Sequence, residues 1–430
     1  MFKSTLVLQR ATGVLILKIF SAGIGFLLNM VLARFLGPLQ YGVYSLLLVI
    51  VNFSVVFASL GLVPLLIREV ATYKARRQWS FLKGIIVTGF QWSFLGSLIA
   101  AIIFMLFALR KFISEVEPSA LFMLFVLIPI TVLGQIRAAV LRGLNCVIFA
   151  DIPELVLRPF LALIAVLFVS SIQSTLTVNR VVTIQFVVAI LALWIGTRLL
   201  KKFLPLEAKN STIETDYSYW IRAAIPFFIV SLLSIAEGQI SLLFVGYLGA
   251  AEQAGRFQVS TQIVGVIALG LTAINLSLQP KLAAAWAKNE YKQAQHMISE
   301  ATLIGSVFAL FVSIVLIINA PQLLAIAGES FMTSADCLRI LAMGQMVNAL
   351  SGSCGVVLSM TGHQRIAGVG LLAAILTNAL VCFYLIPRYG EIGSAWGTVT
   401  GMTVWNFFHS YLAWRQTGLV TPFIGSFIKK

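Results

Sequence analysis

The segment from Val43 to Ile67, VYSLLLVIVNFSVVFASLGLVPLLI, decides the fold class. It continues for about 25 residues without a charge, which is the length of a helix that crosses a membrane. It does not alternate polar and apolar residues, as the strands of a membrane barrel do over about 10 residues each. In lipid, every backbone N–H and C=O group must be paired inside the structure. The segment is therefore predicted to be a transmembrane helix.

The rest of the chain has the same character. Hydrophobic residues make up 60% of the 430 residues, charged residues make up 10%, and the mean hydropathy is +0.98. A soluble domain has about 25% charged residues. We therefore predict an all-α membrane protein with about twelve transmembrane helices. The predicted spans are roughly 11–32, 42–67, 84–109, 119–141, 150–170, 180–200, 221–248, 257–280, 297–319, 337–360, 366–386 and 392–414.

The formal net charge of +15 indicates orientation rather than nucleic-acid binding. Lys and Arg accumulate in short cytoplasmic loops. With a cytoplasmic N-terminus, 21 of the 30 basic residues are counted with the inner segments, including Arg137 and Arg142 at the inner end of the fourth span, and 7 with the outer segments. The remaining two, Lys18 and Arg158, lie inside spans. An even number of spans then places the C-terminus in the cytoplasm as well. No nucleic-acid partner is expected.

A polar segment divides the chain into two halves. Residues 201–220, KKFLPLEAKNSTIETDYSYW, form the longest polar stretch and separate the sixth span from the seventh. We therefore predict an N-terminal six-helix lobe at 1–200, a cytoplasmic linker at 201–220 and a C-terminal six-helix lobe at 221–430.

The two halves are also similar in sequence at their loops. Three pairs of loop motifs occur in the same order in both halves, and each half has an even number of spans. This predicts a parallel repeat, with a pseudo-two-fold axis along the membrane normal. The pairs are FLGPLQYGVY (Phe35–Tyr44) with YLGAAEQAGRF (Tyr247–Phe257), PLLIREVATYKARR (Pro64–Arg77) with QPKLAAAWAKNEYK (Gln279–Lys292), and LRGLN (Leu141–Asn145) with MTGHQ (Met360–Gln364).

Two six-helix bundles related in this way are typical of transporters, which hold their substrate between two rocking halves. The sequence contains no Walker-type loop, no His-Glu-x-x-His motif, no C-x-x-C pair and no soluble catalytic domain. Its acidic loop residues are scattered. We therefore predict no catalytic residues, no metal site and no bound cofactor. The four cysteines are interpreted as small core residues.

The N-terminal motifs resemble a known family. Lys18–Tyr44 contains the pattern N-x-x-L-A-R-F-L-G-P-L-Q-Y-G-x-Y after its lysine, Leu60–Leu62 reads LGL, and Arg68–Tyr73 reads REVATY. These motifs resemble the polysaccharide biosynthesis or O-antigen flippases of the multidrug/oligosaccharidyl-lipid/polysaccharide exporter superfamily. The resemblance implies transport of an undecaprenyl-diphosphate-linked oligosaccharide from the cytoplasmic to the periplasmic leaflet of the bacterial inner membrane. It also implies polymerase and glycosyltransferase partners in lipopolysaccharide or other surface polysaccharide synthesis.

Charged residues inside spans are candidates for function, because a charge in lipid is costly. Lys18 lies deep in the first span, where it either serves a cationic cleft for the diphosphate or extends to the interface. Arg34 and Arg256 lie beside the matching loop motifs, near the predicted outer mouth, and either bind the substrate or anchor the interface.

Glu237 is the carboxylate placed furthest inside a span. It is a candidate for binding a coupling H⁺ or Na⁺, or for pairing a cation across the cleft; a buried structural acid is the alternative. His409, in the twelfth span, could titrate but is better interpreted as an interface histidine. Arg158 is expected to pair with Glu154, one turn earlier.

Three functions remain open at this stage. A flippase for lipid-linked oligosaccharides is favoured by the motifs and by the cationic residues. A cation-coupled multidrug exporter is favoured by Glu237 alone. A polytopic glycosyltransferase or polymerase is disfavoured by the repeat and by the short outer loops.

Overall fold

All the elements that the computed structural model describes, within residues 2–112, 116–172 and 176–423, are helices. Together with their apolar lengths, this confirms the predicted all-α, multi-pass membrane fold. The C-terminal residues 424–430, whose cytoplasmic location was predicted, lie outside the described part of the chain.

Packing divides the chain into two compact units. Unit 1 combines Met1–Leu36 with Leu47–Ile235, and unit 2 combines Gly37–Leu46 with Ala236–Lys430. The borders of these units therefore fall within helices, away from the polar segment at 201–220. The division into two six-helix lobes stays a prediction.

The helices of the first half of the chain are long and are joined by short turns. In chain order they are α1 (Phe2–Ser59), α2 (Leu62–Ala75), α3 (Trp79–Phe112), α4 (Pro118–Gly143), α5 (Val147–Asp151), a π-helical segment (Ile152–Leu157), α6 (Arg158–Ile172), α7 (Val178–Phe203) and α8 (Leu206–Asn210).

The second half of the chain also consists mainly of long helices joined by short turns. Its helices are α9 (Tyr217–Leu248), α10 (Ala251–Ala287), α11 (Tyr291–Ile318), α12 (Ala320–Ala325), a 3-10 segment (Glu329–Ser334), α13 (Ala335–Leu350), α14 (Cys354–Met360), α15 (Gln364–Tyr389) and α16 (Glu391–Thr417).

Nine helices in the described residues are long and apolar enough to cross a membrane, or ten if α13 and α14 form one bent span. The predicted number is twelve. One difference is the continuous segment Ile16–Ser59, which covers two predicted spans in 44 residues. Another is α16, which is too polar to qualify by composition. The count of twelve stays a prediction.

The long helix α1 is two helices joined at a break. Gly37 has φ 70° and ψ 173°, and Pro38 follows it. Proline cannot donate a helical hydrogen bond, and glycine adopts positive φ without steric cost. The GP pair of the first loop motif therefore separates the first predicted span from the second.

The second predicted span, 42–67, is not one continuous helix. α1 ends at Ser59, and Leu60 and Gly61 have φ of 48° and 75° before α2 begins. A Cβ atom added at Gly61 would lie 2.5 Å from the backbone nitrogen of Phe228 in α9. The LGL motif therefore ends one helix where another backbone approaches closely.

Two helix ends in different halves of the chain share one turn geometry. Arg77 has φ 57° and Asn289 has φ 59°, values that are uncommon for residues other than glycine. In the two turns, the backbone N–H groups of Gln78 and Glu290 donate to the carbonyl oxygens of Tyr73 and Ala285, each at 2.9 Å. The two residues lie 212 positions apart, within the second pair of loop motifs. This match supports the parallel repeat, which stays a prediction.

The predicted linker is packed on unit 1. The Nζ atom of Lys83 donates to the carbonyl oxygens of Lys209, at 2.9 Å, and Ser211, at 2.7 Å. A Cβ atom at Gly84 would overlap the carbonyl oxygen of Glu214. The segment is therefore an ordered strap over the start of α3.

Candidate functional site

Lys18 lies in the N-terminal part of α1, within unit 1. Its side chain is exposed, and among the described residues it has no hydrogen bond or ion pair. One turn further along α1, Ser21 Oγ donates to the Leu155 carbonyl oxygen at 2.5 Å. The packing of α1 on the π-helical segment therefore places Lys18 beside that segment, with its ammonium group available to a ligand.

The two predicted mouth arginines have different surroundings. Arg34 is exposed on α1 and lies 16 residues beyond Lys18, roughly 24 Å along a helix. Arg256, on α10, pairs with Glu252 at 2.5 Å, and its guanidinium Nε is buried without a partner in the described residues. The structure does not bring Lys18 and Arg34 together, and it gives Arg256 a carboxylate that the sequence interpretation did not use.

Glu237 lies in α9, in the part of that helix that belongs to unit 2. Its side chain is half-buried and has no hydrogen bond or ion pair among the described residues. A carboxylate without a partner in a membrane span is costly. Glu237 therefore needs a proton or a cation when it is out of water.

A network of neutral polar side chains begins one turn after Glu237. Ser241 Oγ lies 2.8 Å from Thr398 Oγ1, and Asn378 Nδ2 donates to Ser241 Oγ at 2.9 Å. Ser394 Oγ donates to the Ser241 carbonyl oxygen at 3.2 Å. The network joins α9, α15 and α16 inside unit 2. It attaches the helix turn that follows Glu237 to α15 and α16.

Close packing of α15 on α16 keeps this network in place. A Cβ atom at Gly397 would overlap the Sγ atom of Cys382 and lie 2.9 Å from Oδ1 of Asn378. A Cβ atom at Gly401 would lie 2.9 Å from Cβ of Asn378. Small residues of this kind let helices approach each other in membranes.

A buried ion-pair cluster in unit 1 was missed by the sequence interpretation. Arg137 is 1% exposed within α4, where it pairs with Glu154 of the π-helical segment at 3.2 Å. Arg158 shares the same carboxylate at 3.7 Å, as was predicted. Arg142 pairs with the buried Asp151 at 2.7 Å. Arg137 is therefore not one of the loop cations to which the predicted orientation assigned it.

Two glycines make room for this cluster. A Cβ atom at Gly196 would overlap Nη1 of Arg137, and one at Gly134 would lie 2.5 Å from Oε1 of Glu154. Arg137 Nε and Nη1 are buried without partners in the described residues. The Arg137 guanidinium thus carries more donors than Glu154 alone can accept.

One local signal pointed to the cluster. Glu154 lies between Pro153 and Pro159, and Pro153 opens a π-helical turn. Such turns within α-helices occur frequently at functional sites. The partner in α4 could not be read from spacing, because Arg137 is 17 residues away and its pairing depends on how the helices pack.

His409 is held in a neutral form. The indole Nε1 of Trp405 donates to its Nδ1 atom, and its Nε2 atom lies 2.9 Å from the carbonyl oxygen of Ala367. A ring that accepts at Nδ1 and donates from Nε2 carries one proton. His409 is therefore a buried structural residue, and neither the titrating nor the interface interpretation describes it.

The first pair of loop motifs meets in unit 2. Gly42 and Gly255 face each other so closely that a Cβ atom on Gly42 would lie 2.9 Å from the Gly255 nitrogen. A Cβ atom on Gly255 would overlap the Pro38 carbonyl oxygen. The glycines that the sequence comparison matched as equivalent are therefore in contact.

Comparison with known proteins adds the family. The model of the family described as "Polysaccharide biosynthesis protein" matches residues 7–286. The chain belongs to this family. A second model, described as "MatE", matches residues 226–384 of this family member.

Similar proteins agree with this assignment. The "Putative O-antigen transporter" of Shigella flexneri is 21% identical over 381 residues, which is 85% of this chain and 87% of that protein. An inward-facing multidrug resistance MATE transporter superposes with a TM-score of 0.73 at 14% identity, over 94% of this chain and 98% of that one. The inward closed form of the lipid II flippase MurJ has the same TM-score and identity, over 92% and 86% of the two chains.

These comparisons confirm the predicted family and superfamily, and the fold is the one shared by these transporters and flippases. The families are transporters rather than enzymes, in agreement with the prediction that the chain has no catalytic site. The chain is therefore a multi-pass membrane transporter.

Proposed function

We propose that this transporter moves an oligosaccharide linked to undecaprenyl diphosphate from the cytoplasmic to the periplasmic leaflet by alternating access. Such a molecule has an anionic diphosphate, a polar glycan and a long apolar tail. The tail can remain in lipid, whereas the headgroup needs a polar and cationic path. The name of the Shigella relative, an O-antigen transporter, agrees with this substrate class.

The observation that carries the proposal is the excess of positive charge inside the spans of unit 1. Five cations within the spans 16–59, 118–143 and 147–172 accompany two carboxylates. Charge buried in a membrane at this cost is usually functional. An anionic diphosphate would compensate the excess, whereas an organic cation would add to it. The residues are Lys18, Arg34, Arg137, Arg142 and Arg158, with Asp151 and Glu154.

Lys18 is the proposed first contact of the diphosphate in unit 1, because it is exposed and without a partner among the described residues, and it lies on the N-terminal side of Arg34 in α1. Arg34 and Arg256 are proposed to bind the same headgroup near the outer mouth. Arg256 would then exchange its pairing with Glu252 for the anion, or share it, since its Nε atom still lacks an acceptor in the described residues.

Glu237 is the proposed coupling site of unit 2, for H⁺ or Na⁺. It lies in mid-span, it has no partner in the described residues, and it is one turn from the polar network around Ser241. The chain is expected to need no other cofactor.

The second candidate function is export of drugs coupled to a cation. The MatE match over residues 226–384 favours it, and this region contains Glu237. A site for organic cations would need acidic side chains to bind them, and Glu237 is the one that the interior of α9 offers.

A deletion strain distinguishes the two functions. Loss of a flippase would leave lipid-linked repeat units on the cytoplasmic leaflet and deplete the surface polysaccharide. Normal surface polysaccharide combined with drug sensitivity would contradict the proposal and favour the exporter. Complementation with the wild-type chain and with a Lys18→Ala variant, at matched membrane abundance, ties the phenotype to this protein.

The remaining predictions form part of the same proposal. They are a bacterial inner-membrane location, cytoplasmic termini, twelve spans in two parallel-repeat lobes, and partners among the polymerases and glycosyltransferases of polysaccharide synthesis. The matched turns at Arg77 and Asn289 support the repeat.

A further inference from the structure

A transmembrane helix of unit 2 is broken in the middle. α13 ends at Leu350, α14 begins at Cys354, and the two are bent by 43°. Gly352, between them, has φ 72°. A helix that ends inside a membrane leaves carbonyl groups without helical partners and carries a partial negative charge at its C-terminus. Broken helices of this kind form cation sites in membrane transporters.

A small cavity of about 50 Å³ adjoins this break. Residues of α10, α11 and α13 line it, together with the break itself, and α9, which carries Glu237, contributes none of them. Its polar lining consists of Asn275, Thr302, Asn348 and Ser353, and it has no charged lining residue. Asn275 and Thr302 lie roughly 17–18 Å from the nearest ends of α10 and α11, at about 1.5 Å per residue, and Asn348 lies beside the break at the end of α13. The cavity is therefore near the middle of α10 and α11.

The hydroxyl protons around this cavity are already used. Ser353 Oγ donates to Oδ1 of Asn275 at 2.5 Å, and Thr302 Oγ1 donates to the Thr421 carbonyl oxygen at 3.1 Å. Oδ1 of Asn348 accepts from Asn406 at 3.0 Å. A hydroxyl that donates keeps two lone pairs, and an amide oxygen that accepts once keeps one. Among the amide N–H groups, Asn348 Nδ2 donates to Oε1 of Gln345 at 3.3 Å, and Nδ2 of Asn275 has no acceptor among the described residues. The lining therefore offers more free lone pairs than free protons.

We propose that this cavity binds a monovalent alkali cation, Na⁺ or K⁺. Neutral oxygen atoms replace the hydration shell of such ions in membrane proteins. The C-terminus of α13 adds negative potential. An anion would find no cationic side chain and few free protons, and a divalent cation would lack the carboxylates that usually bind it. The site is separate from Glu237 and does not depend on which molecule is transported.

Thermal unfolding of the purified full-length protein in detergent tests the site. The unfolding midpoint is expected to rise with NaCl or KCl and to saturate, compared with choline chloride at equal ionic strength, because a ligand of the folded state stabilises it. Ser353→Ala removes one oxygen ligand and is expected to weaken the cation response about tenfold or more. Ser351→Ala is the matched control, because its hydroxyl donates to Val347 within the same helix end and does not line the cavity.

Two further variants keep the test decisive. If Ser353→Ala does not accumulate, Thr302→Val removes another lining oxygen and carries the same expectation. Glu237→Gln removes the Na⁺ candidate of the proposed function; in this background a cation response is expected to remain, and to be lost when Ser353→Ala is added. An equal midpoint in sodium, potassium and choline for the wild-type protein would overturn the proposal. So would a response that survives in Ser353→Ala and disappears in Glu237→Gln.

Discussion

At the scale of single residues, Lys18 and Glu237 differ from the paired arginines inside the spans. Arg137, Arg142 and Arg158 have carboxylate partners within 4 Å. Lys18 and Glu237 have none among the described residues. A charge without a protein partner needs one from elsewhere, and the substrate or a coupling ion can supply it.

Replacement of Lys18 by alanine is expected to lower transport of the lipid-linked oligosaccharide about tenfold or more, because a charge-assisted contact contributes about 1.5–3 kcal/mol. Lys18→Arg should keep most of the activity, since it retains the charge. The measurement is surface polysaccharide in a complemented deletion strain, normalised to membrane abundance. Lys288→Ala, an exposed basic residue after α10, is the control. Full activity of Lys18→Ala would remove Lys18 from the substrate path.

Glu237→Gln is expected to abolish the dependence of transport on an ion gradient, because glutamine cannot take up a proton or pair a cation. Its membrane abundance should stay unchanged, since no described contact of Glu237 is lost. Transport into vesicles with imposed H⁺ or Na⁺ gradients measures the effect. Glu252→Gln, in the neighbouring α10, provides the comparison. A gradient response that persists in Glu237→Gln would show that coupling occurs elsewhere.

The sequence predicted an ion pair correctly where the two partners lie one helical turn apart in the same segment of the chain. The pairing of Arg158 with Glu154 follows from one helical turn and is confirmed. The pairing of Arg137 with Glu154 connects different helices, and hydropathy alone assigned Arg137 to a loop. The buried state of His409 was missed for the same reason, since it depends on Ala367 in α15.

At the scale of helices, glycines decide which elements can pack closely. Gly196 and Gly134 admit the buried pair of Arg137 and Glu154, and Gly397 admits the network around Asn378. Each of these is helical, so conformational freedom does not explain it; the absence of a Cβ atom does.

Gly196→Ala is expected to destabilise the protein by about 3–5 kcal/mol, because its Cβ atom would displace Arg137 and break a buried ion pair. The thermal unfolding midpoint of the purified chain measures this. Gly25→Ala, in α1, should have little effect, because a Cβ atom there meets nothing within 4 Å. Equal midpoints for the two variants would mean that α4 and α7 do not pack as described.

The contact between the two matched loop motifs gives a second prediction at this scale. Gly42→Val is expected to cost about 1–3 kcal/mol or more, since overpacking forces backbones apart. Gly265→Val, with nothing within 4 Å of its added Cβ atom, is the control in α10. The unfolding midpoint is again the measurement. A stability unchanged by Gly42→Val would contradict the close approach of Gly42 to Gly255.

At the scale of the whole molecule, orientation follows from charge. Cytoplasmic loops collect Lys and Arg, and the segment 201–220 should therefore face the cytoplasm. A cysteine at Thr215, which is exposed, should react with a membrane-impermeant maleimide in inverted vesicles but not in intact cells. The cysteine is placed in a Cys146→Ser background, which is also the control, because Cys146 is partly exposed whereas Cys337, Cys354 and Cys382 are buried. Labelling from outside intact cells would reverse the predicted orientation.

The membrane class, the apolar helices and the family were determined by the sequence itself. Hydropathy and loop motifs are properties of contiguous residues, and lipid allows few structures for an apolar chain. Tertiary structure alone decided the pairing of Arg137 with Glu154, the contact of Gly42 with Gly255 and the cavity at the break after Leu350. Each of these joins residues from separate helices, and their meeting depends on the three-dimensional packing of side chains and not on the order in which they occur.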